Sequence, residues 1–298
     1  MKYIDLHLHS YYSDGIYSPE ELVKKAKKFG FSIISITDHQ VVDGIKEAIK
    51  FGKKYKIKVI SGIEINTKFK NYSLHLLGYC LDWQNKELNL VLEKMQAERK
   101  GNVEKCILEL QKQGFKLDRD KVFNTPSKDI GFSWLVNFLK KGKNWQKIKK
   151  DFRLKKNQIL TLPEIFKKYF FKNGKSILPS SEISFEKAVK LIKKTGGIVV
   201  LAHPSQQLSW RDDWLFPILK KKGLQGIEAI SAHHNWQNIE HYQKIARELK
   251  FLTTIGSDYH GDLPEEWRFP VRGLWQYFKV GIDRKVLKRI KNVFLNRF

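Results

Sequence analysis

The chain begins with a strand-like stretch, Asp5-Leu6-His7-Leu8-His9-Ser10. Successive side chains of a β-strand point to opposite faces, so His7 and His9 project to one side while Leu6 and Leu8 project to the other. Two imidazoles that converge in this way can share a metal ion. Because an isolated pair of this kind also occurs among ordinary histidines, the rest of the chain decides between the two interpretations.

The composition is typical of a globular protein from a reducing compartment. The chain has 298 residues, of which 42% are hydrophobic and 13% aromatic, enough for a full core. No apolar run is long enough to span a bilayer, and Lys2 and Asp5 stand where a secretory leader would be apolar. The only cysteines are Cys80 and Cys106, which show no disulfide pattern. We therefore expect a cytoplasmic protein that does not bind membranes.

The net charge of +25, from 56 Lys and Arg against 31 Asp and Glu, is extreme. A strongly positive field attracts polyanions and speeds their encounter, which indicates phosphorylated substrates or nucleic acid as partners. The alternative is a general drift of composition toward lysine, although drift does not explain why acidic residues are so few.

Short apolar runs alternate with amphipathic helical stretches, a pattern typical of α/β proteins built from βα units. Strands are predicted at 3–8, 32–37, 58–63, 73–79, 198–202, 226–230 and 251–255. Side chains that bind metals lie in these strands or directly after them, namely His7, His9, His39, Glu64, His75, His203 and Asp258. Functional side chains in parallel βα folds collect at the carboxyl ends of strands, so we expect these residues to share one rim.

The pattern changes in the middle of the chain. A long helix is predicted over 86–112, and no strand is expected from about 115 to 180. We interpret residues 99–179 as a basic helical insertion into a discontinuous barrel domain formed by 1–98 and 180–298. Its lysines and interleaved aromatic residues form either a groove for single-stranded nucleic acid or a separate core with a solvated, charged surface.

The candidate ligands combine imidazoles and carboxylates without thiolates, which is typical of hydrolytic metal sites rather than structural zinc sites. So many ligands exceed the needs of one ion and suit two or three divalent ions of Mn, Zn or Fe. The candidates are His7, His9, Asp14, His39, Glu64, His75, His203, Asp258 and His260.

The strings that carry these ligands closely resemble the polymerase and histidinol phosphatase (PHP) family of phosphoesterases. They are His7-x-His9 with Asp14-Gly15, Thr37-Asp38-His39, Gly62-Ile63-Glu64, His75, Ala202-His203-Pro204 and Ser257-Asp258-x-His260. The resemblance covers about residues 1–80 and 184–262 and implies a distorted (β/α)7 TIM-like barrel with a trinuclear metal centre. By position it implies one metal on His7, His9, Glu64 and Asp258, a second on Glu64, His75 and His203, and a third on Asp14, His39 and His260.

Within the family the chain is similar to a stand-alone branch whose members hydrolyse nucleoside bisphosphates or remove nucleotides from the 5′ end of short RNAs. The insertion after the fourth strand and the string from Thr254 to Gly261 support this placement. The insertion of that branch usually carries a G-R-P-H string, whereas the chain has Gly131-Phe132-Ser133-Trp134. An arginine and a histidine that would meet a substrate phosphate are therefore absent from this string.

We predict a metal-dependent phosphoesterase, either a phosphatase or an exonuclease, that acts on nucleotides or short oligonucleotides through a metal-activated hydroxide. The predicted catalytic residues are Asp258 and His233. His233 follows a predicted strand on the ligand side, where it would contact phosphate or act as a general acid, unless it is an ordinary loop histidine. Arg211, Arg268 and Arg272 are candidates for a phosphate clamp.

Three alternatives remain at this point. A small-metabolite phosphatase of the histidinol-phosphate type would use the same metals but would not need a basic, aromatic insertion. A nucleic-acid-binding protein with a degenerate barrel is disfavoured because no ligand is lost. A metal-dependent amidohydrolase ranks last, since no lysine stands at a ligand position at the end of a strand.

Overall fold

The computed structural model describes residues 3–155, 160–261 and 292–294. Its strands are β1 (Tyr3–Leu8), β2 (Phe31–Ile36), β3 (Lys58–Phe69), β4 (Tyr72–Tyr79), β5 (Phe171–Lys172), β6 (Lys175–Ser176), β7 (Ile183–Ser184), β8 (Ile198–Leu201), β9 (Gly226–Ser231) and β10 (Leu252–Gly256). Its α-helices are α1 (Pro19–Lys28), α2 (Gly44–Tyr55), α3 (Lys86–Lys112), α4 (Arg119–Phe123), α5 (Phe132–Leu139), α6 (Gly142–Asp151), α7 (Leu162–Ile165), α8 (Phe185–Lys194), α9 (Leu215–Lys221) and α10 (Trp236–Glu248).

Seven strands form a nearly closed, barrel-shaped sheet in the order β1-β2-β3-β4-β8-β9-β10. The segment after β10 returns to the end of β1, where the backbone N–H of His9 donates to the carbonyl of Tyr259 at 2.9 Å. β1, β2 and β3 are parallel, as are β8, β9 and β10, whereas β4 is antiparallel to both of its neighbours. The predicted distorted, TIM-like α/β barrel is confirmed, with one strand reversed.

The hairpin of β3 and β4 departs from the predicted strand ends. β3 continues to Phe69, so Glu64 lies inside the strand and not at its carboxyl end. His75 lies in the amino-terminal half of β4 and reaches the same rim because β4 runs in the opposite direction. The two strands are joined by a tight turn at Lys70 and Asn71, and a turn this short forces antiparallel pairing.

Local sequence signals fix where α1 begins and which of its faces is buried. The side chain of Ser18 accepts a hydrogen bond from the N–H of Glu21, the Glu21 carboxylate accepts one from the N–H of Ser18, and Pro19 occupies the first turn. Such a capping box satisfies donors that a helix start leaves unpaired. Leu22 and Ala26, which are four residues apart, are buried on one face of the helix.

The helical region from α3 to α7 has its own apolar core. Leu88, Leu92 and Met95 of α3 pack into the barrel core, whereas Val103 and Ile107 of the same helix pack into a separate cluster. Most aromatic residues of the middle stretch belong to or pack against that cluster, namely Phe132, Trp134, Phe138, Trp145, Phe152, Phe166, Tyr169 and Phe170. Their packing favours the core interpretation of these aromatic residues over a stacking groove.

Two further expectations concern the ends of this region and of the chain. The short strands β5 and β6 pair within a stretch that was expected to contain no strand, because a two-residue hairpin leaves no alternating apolar pattern. The amphipathic pattern of residues 283–298 predicts a C-terminal helix. That stretch lies outside the described residues apart from 292–294, which are helical, and the Phe294 ring lies 5.5 Å from that of Tyr79. Among the residues that the structure describes, no helix combines the length and the apolarity needed to cross a membrane.

Candidate metal centre

The carboxylate of Glu64 lies at the centre of the predicted ligands. Its side chain is fully buried, and imidazole nitrogens of five histidines approach its two oxygens. Oε2 lies 3.1 Å from His7, 3.2 Å from His9 and 3.3 Å from His39, and Oε1 lies 2.9 Å from His75 and 3.1 Å from His203. A carboxylate surrounded in this way can bridge two ions.

The ligand atoms form three overlapping groups, within each of which all atoms lie within 4.8 Å of one another. The groups are His7, His9, Glu64 and Asp258; His9, Asp14, His39 and His260; and His39, Glu64 and His75. Two differences separate these groups from the ligand sets that the family resemblance implies. His9 also belongs to the group of Asp14, and the group of His75 contains His39 instead of His203. His203 stays close through its contact with Glu64.

Distances within the first group fit a divalent ion. Nε2 of His7 lies 3.0 Å from Nε2 of His9, and Oδ1 of Asp258 lies 3.2 Å and 3.0 Å from the same two nitrogens. Neighbouring ligand atoms that are each about 2.1 Å from a common ion are separated by roughly 3.0–3.4 Å. The spacing of these atoms is therefore that of a coordination shell.

Buried atoms without partners support the same conclusion. Among the described residues, seven buried side-chain atoms have no hydrogen-bond partner, and three of these are Asp14 Oδ1, His39 Nδ1 and Asp258 Oδ1. Buried polar atoms of this kind cost free energy unless they bind something. All three belong to the ligand groups, so the residues present fit metal ions.

Burial and charge together set the ionisation of the ligands. Burial raises the pKa of Glu64, but His39, His7 and His75 outweigh it and hold that pKa well below its ordinary value. Burial likewise raises the pKa of Asp258, while His7 and other histidines hold it well below the ordinary value. Burial lowers the pKa of His39 to about 4. The carboxylates are thus ionised and His39 is neutral, which are the forms that bind metals. For His7, His9, His75 and His260, burial lowers the pKa, but the neighbouring carboxylates outweigh burial and raise it above the ordinary value, so these histidines give up a proton when they bind a metal.

Buried acidic residues that the sequence analysis did not single out hold His7 in place. Oε1 of Glu228 lies 3.0 Å from Nδ1 of His7, and its Oε2 accepts a hydrogen bond from the N–H of His203 at 2.8 Å. Oδ1 of Asp5 accepts from the N–H groups of His7 and Ser257 at 3.2 Å and 3.0 Å. A partner on Nδ1 fixes the imidazole ring and leaves Nε2 for the metal. The sequence signal that could have identified Glu228 and Asp5 is an acidic residue within an otherwise apolar strand.

The loop that carries Asp14 is held by the carboxylate of Asp38. Oδ1 accepts hydrogen bonds from the backbone N–H of Ser10 at 2.6 Å and from the hydroxyl of Ser13 at 2.8 Å, and Oδ2 accepts from the hydroxyl of Ser10 at 2.6 Å. Asp38 therefore acts on the site by positioning this loop.

The middle stretch reaches the metal site at Gly131. A Cβ added to Gly131 would lie 3.0 Å from the Cβ of Asp14, so a side chain at position 131 would crowd that of Asp14. The next residue, Phe132, packs edge-on against Phe166 and Phe170 of the separate core. The string that differs from the family pattern thus lies beside the site, but Phe132 contributes to packing.

A cleft of about 620 Å³ opens over the ligands, and His233 forms part of its wall. Nε2 of His233 lies 2.7 Å from Oδ2 of Asp258, which brings the two predicted catalytic residues into contact. Of the three candidate arginines, Arg211 is exposed on a short turn, and Arg268 and Arg272 lie outside the described residues. The residues that line the cleft are His39, Asn71, Tyr72, Ser73, His75, His203, Gln206, Gln207, His233, Asp258 and His260.

Known proteins resemble the chain in sequence and in fold. Residues 5–128 match the protein-family model of the PHP domain. The chain is 25% identical over 262 residues to a 5′-3′ exoribonuclease of Haemophilus influenzae, and the matched region covers 87% of this chain and 90% of that protein. It is 25% identical over 263 residues to a 3′,5′-nucleoside bisphosphate phosphatase of Chromobacterium violaceum, with 87% and 88% covered.

A solved structure with the same fold comes from the second organism. The structure of an amidohydrolase from Chromobacterium violaceum matches with a TM-score of 0.73 at 24% identity and covers 96% of both chains. At this level of identity the match shows the fold alone.

Proposed function

Because the chain carries a PHP domain and is a metal-dependent phosphoesterase, we propose that it hydrolyses phosphate esters of nucleotides or short oligonucleotides. The observation that carries the proposal is the set of ligand groups around Glu64 at the bottom of a polar cleft. The cleft volume of about 620 Å³ falls within the roughly 300–1,000 Å³ of typical small-molecule sites.

In this proposal the nine predicted ligands hold two or three divalent ions. Glu64 would hold one ion together with His7, His9 and Asp258, and the other histidines and Asp14 would hold the rest. When bound, ions of Mn, Zn or Fe would lower the pKa of water and neutralise charge on the phosphoryl oxygens. Glu228 and Asp5 keep His7 in the orientation that this requires.

His233 supplies the proton for the leaving group. Its imidazole lies on the wall of the cleft and is 29% exposed, so a bound substrate can reach it. Asp258 orients the ring through the 2.7 Å contact. A positioned imidazole of this kind can protonate the leaving alkoxide as the phosphorus–oxygen bond breaks.

The charge of the protein and the names of its relatives support nucleotide substrates. The net charge of +25 favours the approach of anions with several phosphates. Two of the relatives are an exoribonuclease and a nucleoside bisphosphate phosphatase. A small-metabolite phosphatase remains the second candidate, since the ligand groups alone do not distinguish a nucleotide ester from another phosphomonoester.

The test is phosphate or nucleotide release by purified, Mn-loaded protein with Asp258→Ala as the blank. The substrates are adenosine 3′,5′-bisphosphate, 5′-phosphorylated RNA oligomers and histidinol phosphate. We expect turnover of the first or second class, lost in the variant. Turnover of histidinol phosphate alone would reject the proposed substrate class.

A further inference from the structure

Two tryptophans lie exposed on a loop that begins at the wall of the cleft. The rim loop, residues 207–214, begins at the cleft-lining residue Gln207 and carries Trp210 and Trp214. These two side chains expose 52% and 48% of their surface. Tryptophan is usually well buried, and two exposed indole rings on one short loop offer the kind of apolar surface that marks a binding site.

Hydrogen bonds at both ends attach the rim loop to the metal site. The side-chain amide of Gln207 lies 3.1 Å from Nδ1 of His203, and its oxygen accepts from the N–H of His75 at 3.1 Å. The Tyr72 hydroxyl, which also belongs to the cleft wall, donates to Oδ1 of Asp212 at 2.8 Å. The loop is therefore fixed relative to the cleft.

The indole ring of Trp210 is held with one face open. Its Nε1–H donates to Oδ1 of Asn238 at 2.9 Å, and one ring face stacks on His241 at 4.7 Å between centroids and 18° between planes. Since that face is covered, the exposed surface belongs largely to the opposite face. A ring fixed by two contacts loses little freedom when a flat ligand stacks on it.

Positive charge accompanies the rings. Nζ of Lys70, at the tip of the β3–β4 hairpin, lies 5.2 Å from the ring centre of Trp214. Arg211, which lies between the two tryptophans in the sequence, is exposed. Both carboxylates of the loop already have partners. Asp212 accepts hydrogen bonds from the hydroxyls of Tyr72 and Ser209, and Asp213 contacts His241. Flat aromatic faces beside cations are the features that bind single-stranded nucleic acid.

We propose that the rim loop is a stacking subsite for the bases of a single-stranded oligonucleotide whose terminal phosphate lies in the cleft. The proposal rests on the proposed function and adds the surface along which the substrate leaves the metal site. Trp210 and Trp214 supply the stacking faces, and Lys70 and Arg211 face the phosphates.

The first experiment measures binding without catalysis. Full-length, EDTA-treated protein is titrated into a 5′-phosphorylated RNA hexamer with a 3′ fluorescent label, and anisotropy gives Kd. We expect Kd to rise about fivefold or more for Trp210→Ala and for Trp214→Ala, and Trp210→Phe to recover most of the loss. The matched control is Phe171→Ala, which removes an aromatic ring that is 47% exposed on β5 of the basic middle stretch.

The second experiment measures hydrolysis by Mn-loaded protein. The quantity compared is the ratio of the KM for the hexamer to the KM for adenosine 3′,5′-bisphosphate. In the tryptophan variants this ratio should rise about fivefold or more, while kcat for the hexamer changes little. Wild-type binding by both tryptophan variants, or a loss only in Phe171→Ala, would overturn the subsite. If the wild-type protein hydrolyses neither substrate, the proposed function fails, and the binding experiment still decides the subsite.

Discussion

At the residue scale, the identity of the ligands could be predicted but the support behind them could not. His, Asp and Glu in short strings beside apolar runs are visible in a single sequence, and the structure brings all nine close to Glu64 or to its neighbours. Glu228 was missed because its role depends on a contact with His7, which lies 221 positions earlier in the chain. Sequence spacing carries no information on such a contact.

Replacing Glu228 by glutamine should weaken metal binding while the fold is kept. The amide preserves the shape of the side chain but removes the charge that orients His7, and loss of such a partner typically costs about 10–100-fold in metal affinity. Titration with Mn²⁺ followed by calorimetry gives the affinity. Glu240→Gln, on the exposed side of α10, is the control and should bind as the wild type does. Equal affinities for both variants would show that Glu228 does not support the site.

Replacing His233 by asparagine should lower kcat by about 10²–10⁴-fold on esters with an alkoxide leaving group, if the imidazole donates a proton. The loss should be far smaller on p-nitrophenyl phosphate, because that leaving group departs without protonation. Metal content by mass spectrometry should equal that of the wild type. A loss of the same size on both substrates would remove His233 from the role of general acid.

At the element scale, the seven strands of the barrel were predictable, but the length of β3 and the direction of β4 were not. β1, β2 and β8 appear as apolar runs followed by polar ligands, and their positions agree with the structure within a few residues. The apolar content of β4 says nothing about its direction, which depends on the tight turn after β3. The positions of Glu64 and His75 within their strands follow from that turn.

The end of β10 leaves no room for a side chain beside the site. A Cβ on Gly256 would lie 2.2 Å from Oε1 of Glu228 and 2.3 Å from Cβ of His7. Gly256→Ala should therefore destabilise the protein by about 1–3 kcal/mol and displace His7. Urea unfolding gives the free energy, and a Mn²⁺ titration reports on His7.

The matched control for that substitution is Gly101→Ala. Gly101 lies inside α3 with nothing within 4 Å of an added Cβ. Alanine there should stabilise the helix by about 0.5–1 kcal/mol. If both substitutions change the free energy of unfolding by the same amount, close packing at Gly256 is not the reason for glycine there.

At the scale of the whole molecule, a buried arginine joins the helical region to the barrel. Nε and Nη2 of Arg99 donate to the carbonyl of Ile130, Nη1 donates to that of Pro179, and Nε lies 2.9 Å from Oδ1 of Asp129. Gln40, next to the ligand His39, donates to the other oxygen of Asp129. The lysine-rich pattern predicted a basic helical region, but not this connection, because it involves single residues far apart in the chain.

Arg99→Met should destabilise the protein by about 3–5 kcal/mol, because it leaves the carboxylate of Asp129 buried without its cation. Methionine keeps most of the apolar stem, so the charge is the main change. Arg119→Met, on the surface, should cost no more than about 1 kcal/mol, since exposed ion pairs contribute little. Similar losses for the two variants in urea unfolding would argue against the buried connection.

The measurement that tests the central claim most directly is a metal titration of chelator-treated protein, with bound Mn²⁺ and hydrolysis of adenosine 3′,5′-bisphosphate followed together. Activity should appear only as at least two ions bind to each chain, and Glu64→Gln should bind fewer ions and remain inactive. Full activity with one bound ion, or undiminished metal binding and turnover in Glu64→Gln, would contradict a multi-metal centre built around Glu64.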